Sequence, residues 1–255
     1  IRDSDVMFDE ALCEQGRNFG NKIWNAYRLI NGWTVDETLA QSDNNALAVE
    51  WFRNAFAKAL AEIEDNFSSY RISEAFMRIY KLFWDDFSGW YLEIVKPAYG
   101  SPADRKTIDA TRHYFDMLMR LIHPFMPFVT EEIWQDLTPR AKGESIMYAP
   151  APAVEQWDEA LLTRFEFVKE AITDIRNVRK QKNIAQKQPL TLKVIVDENY
   201  PASYAPVIVK MGNISAIETV TEKDPAAAAF IVKTTQYFVP LGDNIDREAE
   251  TKRLT

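Results

Sequence analysis

Apolar side chains recur at steps of three and four through the first part of the chain, the period of helices that bury one face. From Asp9 to about Asn31, Leu12, Phe19, Ile23, Ala26, Tyr27 and Ile30 form the apolar side. Asn18, Asn21, Lys22, Asn25 and Arg28 form a polar stripe, and Gly32 closes the element. After a polar link, Leu47, Trp51, Phe52, Ala55, Phe56, Ala59, Leu60 and Ile63 predict a second helix that fades at Asp65-Asn66. A third runs from Ser73 through Phe76, Ile79, Tyr80, Phe83, Phe87, Trp90 and Ile94 to Pro97, which cannot continue it. Ser101-Pro102-Ala103-Asp104 reads as a cap, a first-turn proline and an acid opening a fourth helix. That helix carries Ile108, Tyr114, Phe115, Leu118, Leu121 and Ile122 and breaks at His123-Pro124, before a short helix from Thr130 to Leu137.

The pattern then changes. Pro150 and Pro152 mark a linker, and Asp158 to about Lys182 is a further amphipathic helix. Beyond Pro189 the period becomes two, with strands expected at Leu190–Val196, Ile214–Val220, Phe230–Val232 and Tyr237–Val239 and a short helix at Ala205–Met211. The fold class is therefore mainly α, an antiparallel helical bundle followed by a small α/β appendage. The expected divisions are 1–150, 151–245 and, at 246–255, the start of a charged helix with nothing to pack on. A chain cut after about Leu137 is expected to keep a folded bundle.

Composition sharpens this only in part. At 255 residues, 47% hydrophobic and 13% aromatic, the chain can bury a sizeable core. Cys13 is the single cysteine, so an intrachain disulfide is excluded. No apolar run approaches the roughly 18–20 residues of a membrane span. With a first residue Ile1 and no leader, the expectation is an excised cytoplasmic piece. The formal charge of −8 opposes a nucleic-acid partner overall, yet a local basic stripe can outweigh net charge.

Enzymatic constellations are missing. There is no Gly-rich phosphate loop, His113 and His123 have no partner at metal-ligand spacing, and Asp85-Asp86 and Glu131-Glu132 are neighbours that point apart on a helix. No catalytic residue, metal ligand or cofactor site is assigned to this chain. Two polar features remain. Asn18, Lys22, Asn25 and Arg28, with Arg17 beside them, combine amides suited to an adenine edge with cations suited to phosphates and base acceptors. The same stripe also suits the wet face of an amphipathic helix. Arg176, Arg179, Lys180, Lys182 and Lys187 form an acid-free basic run that fits an RNA backbone, or equally cations favoured by a helix C-terminus.

Four segments carry a family resemblance. Gly16 to Ala26 resembles the opening helix of the anticodon-binding domain of valyl-tRNA synthetases. Phe83-Trp84-Asp85-Asp86-Phe87 through Lys96-Pro97 resembles that domain's central helix. His123-Pro124-Phe125-Met126-Pro127-Phe128-Val129-Thr130-Glu131-Glu132-Ile133-Trp134 is the most distinctive match, and Ile175-Arg176-Asn177-Val178-Arg179 followed by Pro189 resembles the appendage. The resemblance implies an enzyme that joins valine to tRNA with ATP and Mg²⁺, through catalytic and editing parts whose motifs are not found here. It implies a tRNA(Val) partner, a monomer, and a coiled coil beginning near Asp246. Lys22 and Asn25 are the implied base readers, while Arg17, Asn18 and Arg28 are phosphate or base contacts. The isoleucyl or leucyl counterpart is one alternative, disfavoured by the His123–Phe128 segment. A helical scaffold that binds protein is another.

Overall fold

A computed structural model describes residues 10–241; the expected helix from Asp246 lies outside them. The chain divides into two compact units, one of residues up to 41 with 55–156 and one of 42–54 with the residues from 157 on.

In the first unit, helix α1 (Glu10–Asn31) buries Phe19, Ile23, Ala26, Tyr27 and Ile30, the face that the spacing predicts. Helix α2 (Asp43–Ser68) contributes Phe56, Ala59, Leu60 and Ile63 from its later turns. The expected third helix is found as α3 (Ile72–Lys81), a π-helical segment (Leu82–Tyr91) and α4 (Leu92–Val95). Leu92 N donates to Phe87 O, five residues back. The cause lies in the apolar spacing. Phe83, Phe87 and Tyr91 advance by fours, and each such step overshoots an α-turn by about 40°. A wider turn absorbs that drift and keeps the three rings in one buried ladder, with centroids 5.8 and 5.4 Å apart.

The fourth helix does not begin at Ser101-Pro102. Val35–Asp36 (β1) and Ala103–Asp104 (β2) pair as a short parallel ladder, so the chain stays extended through Asp104. Helix α5 (Arg105–Ile122) starts after it, capped by the Asp104 carboxylate, which accepts from Thr107 N at 2.8 Å. At its far end His123 Nδ1 lies 2.8 Å from Thr130 Oγ1 of helix α6 (Pro127–Leu137). Thr130 also donates to Met126 O. Within this turn Met126 packs against Gly20 of α1 so closely that an added Cβ there would come within 3.3 Å of it. Further on, Glu131 accepts from Ser145 Oγ and Ile146 N, tying down the loop after α6.

In the second unit, Asp158 caps helix α7 (Glu159–Gln181) by accepting from Ala160 N and Leu161 N. The first turns of α2 belong here. Trp51 stacks on Phe165 at 4.1 Å, and buried Asn54 accepts from Asp158 N at 2.7 Å while donating to Glu50 O. A four-stranded sheet follows, in the order β4-β3-β6-β5. Strands β3 (Leu190–Ile195) and β4 (Ile214–Thr219) run parallel, joined by a crossover through helix α8 (Ala205–Gly212). Strands β5 (Ala227–Val232) and β6 (Thr235–Pro240) form a hairpin, with β6 antiparallel to β3. Its core includes Leu192, Val194, Tyr237 and Val239, all fully buried.

Candidate nucleic-acid interface

On α1, Arg17, Asn18, Asn25 and Arg28 are exposed and Lys22 is half-buried. At about 100° per residue, Asn18, Lys22 and Asn25 fall within roughly 60° of one another, whereas Arg17 and Arg28 lie on the outermost face. The five residues therefore split into a row and two flanking cations. Arg17 is drawn to Glu14 at 3.3 Å. Among the described residues, the side chains of Asn18, Asn25 and Arg28 hydrogen-bond to nothing.

The Lys22 ammonium sits 5.3 Å from the centre of the Trp84 ring, and Trp84 stacks on Tyr80 with centroids 5.4 Å apart and planes 15° apart. Phe19, buried on α1, lies 4.8 Å from Tyr80 and anchors the pair from below. Tyr80 and Trp84 are half-buried, so a stacked aromatic pair borders the Asn18–Lys22–Asn25 row. A cation, amides and π-faces together are the groups that grip unpaired bases. These two aromatics are absent from the sequence-level site. Their signal in the sequence is the i, i+4 spacing, but Tyr80 falls in the apolar series of the third helix and Trp84 within the family-like segment, so neither stands out there as a contact.

The other flank of α1 is different. Trp24 and Tyr27 line a cleft of about 390 Å³ with Glu132, Gln135 and Asp136, and Tyr27 OH donates to Asp136. Two carboxylates there repel phosphate.

In the basic run, Arg176, Lys180 and Lys187 are exposed and Lys182 is half-buried. Arg179 is a correction: it is 1% exposed and cannot touch an RNA backbone. Its guanidinium donates to four carbonyls, Ala185 O, Gln188 O, Gly212 O and Asn213 O, at 2.7–3.0 Å. Burial of a charge demands such partners, and it also pulls the Arg179 pKa down.

His123 is taken up by Thr130, and among the described residues no group of three or more His, Cys, Asp or Glu side chains could hold a metal ion. No helix among them is long and apolar enough to cross a membrane.

A helical unit whose first helix carries a polar, aromatic-flanked row, followed by a small α/β unit, holds the kinds of group that suit unpaired RNA bases. Residues 49–196 match the family described as the anticodon-binding domain of tRNA ligase, and the chain belongs to that family. The matched stretch leaves out α1. Longer alignments reach it: the valine–tRNA ligase of Parabacteroides distasonis is 53% identical over 251 residues, 98% of this chain and 28% of that protein. The valine–tRNA ligase of Bacteroides thetaiotaomicron is 53% identical over 253 residues, again 98% of this chain and 29% of its own length. That of Phocaeicola vulgatus is 51% identical over 251 residues, with 98% and 28% covered. The chain thus spans between a quarter and a third of these relatives.

Proposed function

We propose that this chain reads the anticodon arm of tRNA(Val) for a valine–tRNA ligase, using the α1 row beside Tyr80 and Trp84. Lys22 and Asn25 take base edges, Asn18 supports them, and Arg17 and Arg28 take phosphates or further base acceptors. Tyr80 and Trp84 offer stacking faces. Base reading belongs to the helical region, residues 1–150, and backbone contact to the α/β region, residues 151–245. The ligation of valine, which consumes ATP with Mg²⁺, is proposed for the whole enzyme, acting in the cytoplasm as a monomer.

The observation that carries this is the Lys22–Trp84–Tyr80 cluster bordering Asn18 and Asn25, whose side chains have no partner among the described residues, in a chain of the anticodon-binding family. The middle base of a valine anticodon is adenine, and an Asn side chain pairs with adenine through two hydrogen bonds. The test is titration of the chain with valine and isoleucine tRNA transcripts at low and moderate salt. Preference for the valine transcript, abolished by changing its middle anticodon base, is the expected outcome. Equal binding of all three transcripts would refute anticodon reading.

A further inference from the structure

Between Asp174 and Asp197 the chain holds no acid and six cations, one of which is the buried Arg179. The four carbonyls that Arg179 holds come from two places. Ala185 and Gln188 lie in the loop that joins α7 to β3, and Gly212 and Asn213 end α8 and lead into β4. Asn213, in the left-handed region at φ 51°, adds a bond from its Nδ2 to Gln186 O at 2.9 Å. Leu190 N donates to Asn213 O, and buried Ile184 anchors the loop from the other side.

The consequence is electrostatic. Three of the loop's carbonyls, those of residues 185, 186 and 188, are turned toward protein donors. The outer surface therefore carries three fewer main-chain acceptors beside its cations. Lys180 and Lys187 are exposed, and among the described residues neither pairs with a carboxylate. Lys180 also stands at the C-terminal end of α7, in its last turn. A loop held in one shape beside exposed lysines is preorganised for an anion and loses little entropy when it binds.

We propose that residues 180–188 form a phosphodiester-binding loop in which Lys180 and Lys187 contact RNA phosphates, and that Arg179 is its positioning residue. This rests on the reading of the chain as a tRNA binder. Arg179 touches no RNA; it fixes the carbonyls on either side of Lys187 inward and so the course of the loop that presents Lys187 beside Lys180. A lysine could not replace it, because one ammonium cannot serve carbonyls of both the loop and the α8–β4 junction in a planar fork.

The test measures binding of the full chain to the valine tRNA transcript across a salt series. Lys180→Gln with Lys187→Gln should flatten the dependence of log affinity on log salt by roughly 1.4–1.8, the value for two lost phosphate contacts. Arg179→Lys should flatten it by roughly 0.7–0.9, the value for the Lys187 contact alone, and adding Lys187→Gln to Arg179→Lys should change little more, because both act through that one contact. Asn25→Ala, which removes no charge, should lower affinity with the slope intact. An unchanged slope in the Lys180/Lys187 double variant, with wild-type binding present, overturns the loop proposal alone. A lowered melting temperature for Arg179→Lys with the wild-type slope, measured well below that melt, would make Arg179 structural only and overturn its positioning role. Failure of the wild-type chain to bind any transcript overturns the tRNA reading and this proposal together.

Discussion

Asn25 and Asn54 carry the same amide to opposite ends. Asn25 is exposed on α1 and has no partner among the described residues, so Asn25→Ala should weaken binding to the anticodon arm and leave the thermal melt within about 0.5 kcal/mol of wild type. A folded variant with undiminished affinity would remove Asn25 from the interface. Asn54 is 2% exposed and bridges Asp158 N and Glu50 O. Asn54→Ala removes the acceptor of the part-buried Asp158 N–H and a buried bond to Glu50 O, and denaturant unfolding should show a loss of about 1 kcal/mol. Asp197 gives a pH-dependent case. Burial works to raise its pKa, but bonds from Thr234, Thr235 and Asn199 N win and hold the carboxyl below its usual value. Because the folded pKa is depressed, its contribution is present above the unfolded value of about 3.9 and is lost as pH falls through the folded value. Melts of wild type and Asp197→Asn should differ at pH 6 and converge toward pH 2; a gap that stays constant would deny the linkage.

At the scale of elements, α5 offers a clean test of where a helix begins. Asp104→Ala should cost about 1 kcal/mol, within the range for loss of a side-chain cap, whereas Ser101→Ala should cost little. Equal effects would mean that the cap is shared or lies elsewhere. The sequence suggested Ser101 because Ser-Pro is a strong local start signal, but pairing of Ala103-Asp104 with Val35-Asp36 is non-local and overrides it. Helical periodicity made α1, α5 and α7 legible, since each has one continuous buried stripe. The π segment was invisible to that reasoning, because steps of four look helical until the accumulated drift is counted. Strand β5 begins in Ala227-Ala228-Ala229, residues with no β-branching, and only its pairing with β6 makes it extended. Of the site, the polar row on α1 was legible from spacing. Arg179 was not: a charge in a basic run looks solvated, and nothing local shows that four carbonyls converge on it. Tyr80 and Trp84 were hidden for the converse reason, since half-buried aromatics on an apolar face read as core.

For the whole molecule, the division of α2 matters most. Its residues 43–54 group with the unit that resumes at Trp157, and there Trp51 is 1% exposed and Phe52 fully buried. A chain ending at Gln156 keeps these side chains but loses Phe165, the ring stacked on Trp51, and Asp158, the donor to Asn54. Large aromatics each bury about 150–250 Å², so uncovering two of them creates an apolar patch of the size that monomers rarely tolerate. Cutting after Leu137 has the same defect, so the simple expectation of a self-sufficient bundle needs a repaired α2. The 1–156 chain should therefore sediment as a larger species than its own mass requires and should bind a hydrophobic dye. Trp51→Gln with Phe52→Gln in the same truncated chain should restore monomeric sedimentation while keeping the helical circular dichroism. If the unmodified 1–156 chain is instead monomeric and melts like the full chain, the first turns of α2 do not depend on the second unit, and the helical region is self-sufficient after all.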